Sequence, residues 1–306
     1  DGAFLAAHPG APEFLADQAP AERMAREVVH DDLFCNLIAS GEQSGTLDTM
    51  LQRLADYIEN SVKLKAKVKQ AMTYPVAIFA FAIIVAVFML WKVIPTFAQI
   101  FVDLGAQLPG LTAFVMNLSS FVQKYILFLA LGTVGALFLF RYYRKTQGGR
   151  WTTDGLLLRL PLFGSLLTKV AISRITRTLS TLLGGGVSML ESIKITATTA
   201  GNVILEKSVM DIRKQVTEGR SLTDSIKSTG RFPFMMTQMV SVGEATGTLD
   251  KMLTKLADFY DSEVDNTVGT LLSVLEPIMM VFIGGLVGTL IISMYLPIFS
   301  LMGQIQ

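Results

Sequence analysis

The sequence is short of the residues that carry out chemistry. Cys35 is its only cysteine, which excludes an internal disulfide and any multi-cysteine zinc site. Of its two histidines, only the one in His30-Asp31-Asp32 stands in a ligand-like cluster. A metal site needs three or four converging ligands, so the cluster reads as a capping or surface feature. No Gly-Lys pair occurs anywhere, which excludes the G-x-x-x-x-G-K-[ST] nucleotide loop, and neither H-E-x-x-H nor G-x-S-x-G is present. Charged residues make up 17% of the 306 and sum to +1, which argues against a strong general attraction to nucleic acid. The expectation is a protein that is not an enzyme and holds no cofactor and no metal. Few β-branched alternating runs exist, so a sheet is not expected either.

Apolar residues, by contrast, are plentiful. They form 51% of the chain, and the mean hydropathy is +0.49. That is too apolar for a cytosolic enzyme and too charged for a bundle wholly buried in lipid. The charges are segregated along the chain. A repeat organises this pattern, because sliding the sequence by 202 positions lays Gly41-Glu42-Gln43-Ser44-Gly45-Thr46-Leu47-Asp48 on Gly243-Glu244-Ala245-Thr246-Gly247-Thr248-Leu249-Asp250. The register continues without a gap: Met50 meets Met252, Leu54 meets Leu256, Pro75 meets Pro277 and Pro95 meets Pro297. In the same register the counterpart of residues 160–202 would precede Asp1, so the first copy is expected to be incomplete.

Leu47, Met50, Leu51, Leu54 and Ile58 have the spacing of one helical face. The helix then turns basic at Lys63, Lys65, Lys67 and Lys69, whereas the second copy has an acidic neck at Asp261, Glu263 and Asp265. Ala71 to Trp91 holds no charge and is long enough to cross a hydrocarbon core of about 30 Å. Pro75 sits near the start of this run and Pro95 is expected to end it. A second apolar run, Tyr125–Phe140, reaches spanning length with the residues before it, and the cluster Arg141, Arg144, Lys145 and Arg150 follows. From Pro277 to Gln306 there is no charge, which gives a third span.

The resulting division is a partial first helical lobe over 1–70, spans at 71–94, 119–140 and 274–296, a connection over 95–118, a second lobe over 141–273 and a tail over 297–306. Within the second lobe, helices are expected near 156–168, 170–183, 188–200, 203–218, 221–228, 234–242 and 248–270, with Gly184-Gly185-Gly186 as a break and Ser221 as an N-cap. The basic clusters flank the first and second spans on one side, which puts both polar blocks in the cytoplasm and the connection and C-terminus outside.

The candidate residues read as structural or as contacts. Gly41 and Gly243 are expected to set a turn, with Glu42 and Glu244 near the start of the following helix, and Gly45 and Gly247 complete each motif. Glu276 stands against the third span where the first copy has Tyr74, and it reads as an interfacial acid at a helix start rather than as an ion relay. The four lysines suit anionic headgroups or an acidic partner, and the acidic neck suits something basic.

The stretch Lys67-Val68-Lys69-Gln70-Ala71-Met72-Thr73-Tyr74-Pro75, with Val93-Ile94-Pro95, both Gly-Glu-x-[Ser/Thr]-Gly-Thr-Leu motifs and Tyr295-Leu296-Pro297-Ile298-Phe299, resembles the signature of the inner-membrane platform proteins of type IV pili and type II secretion systems. Ile94-Pro95-Thr96-Phe97 followed by Leu104-Gly105-Ala106-Gln107-Leu108-Pro109 resembles the pilus branch. The resemblance implies an all-α membrane scaffold with two related cytoplasmic lobes, the first incomplete here, and three transmembrane helices, sitting in the bacterial inner membrane with a periplasmic C-terminus. It also implies a hexameric cytoplasmic assembly ATPase, pilin or pseudopilin helices, other inner-membrane assembly components, the lipid bilayer and a homo-oligomer as partners, and no nucleic acid. The alternatives are the equivalent platform of a type II secretion system and, from another class, a small-solute transporter. The second is opposed by the lack of charge at mid-membrane.

Overall fold

A computed structural model describes residues 32–103 and 109–304, and every regular element among them is helical. His30, Asp31 and the segment before them lie outside the described residues. In chain order the helices are α1 (Asp32–Ser44), α2 (Leu47–Phe88), a π-helical turn (Met89–Val93), α3 (Ile94–Asp103), α4 (Gly110–Lys145), α5 (Gln147–Arg159), α6 (Phe163–Gly184), α7 (Met189–Thr199), α8 (Val203–Thr217), α9 (Leu222–Thr229), α10 (Phe234–Thr246) and α11 (Leu249–Gln304). Among the described residues, three stretches are long and apolar enough to cross a membrane: Leu47–Phe97, Gly110–Leu129 and Leu249–Phe299. The chain is an all-α, multi-pass membrane protein.

The helices fall into two compact units. One joins the described residues up to Lys63 to Lys169–Asp261. Its main core packs Ile172, Ile175 and Leu179 of α6 with Ile193 of α7, Leu205, Val209 and Ile212 of α8, Ile226 of α9, Val240 of α10 and Leu253 and Leu256 of α11. A second cluster in the same unit sets Leu33 and Leu37 of α1 and Met50 and Leu54 of α2 against Leu182 and Ile195. The Ser40 hydroxyl donates to the Gly185 carbonyl at 2.6 Å beside that cluster. The two copies differ in exposure, and the register counterparts of α8 and α9, residues 1–27, lie outside the described residues. In the second copy Leu249 and Leu253 are 8% and 0% exposed, whereas their counterparts Leu47 and Leu51 are 37% and 45% exposed.

The other unit comprises Leu64–Thr168 and Ser262–Gln306 and contains the apolar helices. Leu90, Ile94, Val115, Val122 and Leu290 form its core, and the rings of Phe79 and Phe282 lie 5.3 Å apart.

Several boundaries differ from the sequence expectation for identifiable reasons. Pro75 lies inside α2 and not at a helix start, since the amphipathic stretch and the apolar run form one continuous helix. Pro277 and Pro297 are likewise interior to α11. Pro95 does not end the first apolar helix: the chain passes through the π turn and continues as α3. Helix α4 starts at Gly110, inside the stretch read as a connection, with Pro109 as its N-cap residue. The break expected between 168 and 170 falls instead at Leu160-Pro161-Leu162, where Pro161 lacks a backbone donor and Leu162 adopts φ +66°. Gly184-Gly185-Gly186 does separate two helices, and the Ser221 hydroxyl accepts from the Asp224 amide at 3.0 Å, as an N-cap should.

Candidate functional site

Three groups of residues repeat between the copies or are singled out by charge. The first is the Gly-Glu motif, whose two examples have nearly the same backbone geometry. The Thr46 amide donates to the Gly41 carbonyl at 2.9 Å, and the Thr248 amide to the Gly243 carbonyl at 3.0 Å. Gly45 and Gly247 take φ +69° and +68°, the left-handed conformation that ends a helix and reverses the chain. The turn glycines are thus the second ones in each motif. Gly41 and Gly243 serve a different end, close approach of the next helix: a Cβ on Gly243 would stand 2.9 Å from Leu249 Cα, and one on Gly41 3.0 Å from Leu47 Cα.

The glutamates also lie elsewhere than expected. Glu42 and Glu244 belong to the last turns of α1 and α10, not to the helices that follow. The Glu244 carboxylate accepts from the amides of Leu222 at 2.8 Å and Thr223 at 3.0 Å and from the Thr223 hydroxyl at 2.6 Å. With Ser221 on Asp224, it supplies acceptors to the first turn of α9, where backbone donors have no helical partner. Burial pulls the Glu244 carboxyl up, but the Thr223 hydroxyl and the two amides outweigh it and hold the group below the usual carboxylate range. Glu42 is exposed. Its register counterparts of Leu222 and Thr223 are Pro20 and Ala21, outside the described residues.

Glu244→Ala is expected to cost about 1 kcal/mol, as loss of a helix cap does. Because the folded group is more acidic than the unfolded one, the carboxylate's contribution is complete above the ordinary value of about 4.3 and fades as pH falls through the lowered folded value. Unfolding measured from pH 7 down to 3 should show that acid-dependent loss in the wild type and a shallower one in Glu244→Gln.

The second group is the charged necks, and much of it is paired within the chain. Arg177 of α6 reaches Asp258 at 2.7 Å and Asp261 at 2.6 Å, and the Ser173 hydroxyl donates to Asp261. Burial lowers the Arg177 pKa, yet the two aspartates more than offset this and raise it. Lys67 pairs with Asp265 at 2.6 Å and Lys63 with Glu59 at 2.5 Å. The basic partners of Asp261 and Asp265 are therefore residues of this chain, and Glu263 is not free either. Lys65 and Lys69 are exposed and make no ion pair among the described residues.

The third group comprises the residues that flank or interrupt the apolar helices. Tyr74, Glu276 and Pro277 are exposed, while Pro75 and Pro297 are buried. Pro95 follows the π turn, in which the Ile94 amide bonds five residues back to Met89. An N–H at position 95 would reach the carbonyl of Leu90 in that register or of Trp91 in the α-helical one. Both carbonyls receive side chains of α4 instead: the Ser119 hydroxyl donates to Leu90 at 2.5 Å, and the Gln123 amide to Trp91 at 3.0 Å. At Pro297 the carbonyl four residues back belongs to Ser293, and the Thr112 hydroxyl of α4 donates to it at 2.8 Å. Thr112, Ser119 and Ser293 are 5%, 3% and 2% exposed, so these are buried polar contacts. Sequence reasoning missed them because Thr112 sits in the stretch read as a connection, and because spacing within the second expected span gives no hint that Ser119 and Gln123 reach another helix. The remaining signal was the presence of hydroxyls at 112 and 119, seven residues apart on one helical face.

None of the described residues forms a group of three or more His, Cys, Asp and Glu side chains that could hold a metal ion. Comparison with known proteins gives the family context. The family profile described as Type II secretion system (T2SS), protein F matches residues 15–95 and 175–297, and its two matches end on the register-equivalent Pro95 and Pro297. The chain is 45% identical over 278 residues to the type IV pilus assembly protein PilC of Myxococcus xanthus, covering 91% of this chain and 67% of that one. It is 42% identical over 287 residues to PilC of Thermus thermophilus, covering 94% and 71%. Similarity extends to the type II secretion system protein F of Vibrio cholerae, at 33% over 273 residues, covering 89% and 67%.

Proposed function

The chain belongs to the type II secretion system protein F family, and from that membership we propose that it is the platform protein of a type IV pilus assembly machine. The observation that carries the pilus assignment is the higher identity to proteins named for pilus assembly, 45% and 42%, than to a secretion system protein F, 33%. A helical membrane protein without a nucleotide loop suits a scaffold that takes its energy from a partner. In this reading the chain sits in the inner membrane with two related helical lobes in the cytoplasm and its C-terminus in the periplasm. A hexameric cytoplasmic ATPase docks on the lobes, and pilin helices pass along the apolar helices into the growing fibre. The platform acts as a homo-oligomer beside other inner-membrane assembly components.

Removal of the chain from its cell is expected to abolish surface fibres, and the purified protein is expected to co-purify with the assembly ATPase while binding no ATP itself. Exposed Cys35 should be shielded from an impermeant thiol reagent applied from the periplasmic side. Normal fibre numbers without the chain would overturn the assignment, and periplasmic labelling of Cys35 would overturn the orientation.

A further inference from the structure

The breaks at Pro95 and Pro297 occupy equivalent positions of the two copies, and both are served by one helix. Thr112, Val115, Ser119 and Val122 follow one another at spacings of three or four residues, so they form a single stripe on α4. The apolar members of that stripe pack with Leu90, Ile94 and Leu290, while the polar members donate to carbonyls that the prolines leave without an amide. In an apolar core a carbonyl without a donor is disfavoured, and side chains of neighbouring helices are one of the few ways to satisfy it. Hydroxyls that merely found the nearest acceptor would bond within their own helix, as Ser120 does to Asn117 and Thr133 to Leu129. Thr112 and Ser119 cross to another helix, and each ends on an atom that a proline has freed.

We propose that Thr112, with Ser119 and Gln123, forms two latches that hold the helix breaks of the two copies, and that α4 is the common bar on which both latches are mounted. The consequence is mechanical coupling. Thr112 and Ser119 are about 10 Å apart along one rigid helix, so a shift of α4 along its axis loads both latches together. The two breaks are not identical. The first contains a π turn and two side-chain donors, whereas the second stays α-helical and has one. Release therefore begins at Pro297, where one side-chain bond holds the break and two hold the other. A small cleft lies against this latch, lined by Ile94, Phe97, Thr112, Val115, Met116, Ser293 and Met294.

The proposal makes a crossed prediction. In the purified full chain in lipid nanodiscs, Thr112→Val should speed amide hydrogen exchange just after Ser293 about three- to tenfold, the factor expected for one interhelical hydrogen bond. Exchange around Trp91 should respond less. Ser119→Ala with Gln123→Leu should give the opposite pattern. Thr112→Ser keeps the hydroxyl and should behave as wild type, and Ser120→Ala is the control for a hydroxyl bonded within its own helix. In a Pro297→Ala background the amide at 297 supplies the missing donor, so Thr112→Val should lose its effect. An equal effect of Thr112→Val with and without Pro297 would overturn the latch, as would no effect in the wild-type background. If Pro297→Ala fails to fold, the contrast between Thr112→Val and Thr112→Ser still decides, because a packing role would leave Val harmless. None of these readouts depends on the pilus assignment.

Discussion

Leu253→Asp should unfold the compact unit that contains it, whereas Leu51→Asp, the same position in the other copy, should be tolerated. Leu253 is 0% exposed in a core built from six helices, so an aspartate there would be a charge without a partner. Such a change costs more than about 4 kcal/mol, a large part of the roughly 5–15 kcal/mol that hold a domain together. Leu51 is 45% exposed, and surface changes of this kind fall within about 0.5 kcal/mol. Met50 and Met252 should reverse the order. Met50 is buried at 6% in the smaller cluster with Leu33, Leu37 and Leu182, while Met252 is only partly buried. Met50→Asp is therefore the more damaging of that pair, and exposed Thr49 and Lys251 should accept aspartate. Thermal unfolding of the Leu51, Leu253, Met50 and Met252 variants checks this. Equal losses for Leu51→Asp and Leu253→Asp would mean that Leu51 is covered in the folded protein, as Leu253 is.

That contrast marks how far the repeat could be read. The register predicted correctly that residues 41–48 and 243–250 share a backbone, because turn geometry is local and depends on the glycines themselves. It did not predict which side chains of the following helix are exposed, because that depends on the neighbours: α11 packs in a core with α6 to α10, whereas the register counterparts of α8 and α9 lie outside the described residues. The apolar stripe through Leu47, Met50, Leu51, Leu54 and Ile58 is broad enough to serve either face. Glu244 shows the same limit: its partners, Leu222 and Thr223, lie about twenty residues away in sequence, and spacing on its own helix gives no hint of them.

The membrane segments were legible by charge and less so by proline. An uncharged run announces a span because ionised groups are costly in hydrocarbon. Proline was read as punctuation, which is its commonest effect in water. In these helices Pro75, Pro277 and Pro297 are interior, since a helix in an apolar medium keeps its other backbone bonds and neighbouring side chains can satisfy the freed carbonyl. Thr112, inside the stretch read as a connection over 95–118, and Ser119, at the start of the second expected span, are the groups used at the breaks.

Reversal of Lys63, Lys65, Lys67 and Lys69 to glutamate should block fibre assembly while leaving expression and membrane insertion intact. In the register these lysines face Asp265, Thr267, Gly269 and Leu271, so a segment whose fold is kept has had its charge changed. The structure divides the four. Lys63 and Lys67 have partners in the chain, and exposed pairs such as Lys67 with Asp265 contribute at most about 1 kcal/mol. Lys65 and Lys69 point no charge at any residue described here and are the ones available to an anionic surface, at about 1 kcal/mol each. Lys65→Glu with Lys69→Glu should therefore account for most of the loss, with fibre numbers down at least about tenfold. Exchanging the ion pair, Lys67→Asp with Asp265→Lys, should leave assembly near normal, since the pairing is restored. Insertion is expected to survive because Arg141, Arg144, Lys145 and Arg150 still supply a basic flank after the second span. Fibre counts by electron microscopy, alongside membrane fractionation of each variant, decide the matter. Normal fibres from a correctly inserted four-lysine reversal would reduce the basic neck to a topological signal and remove the docking role.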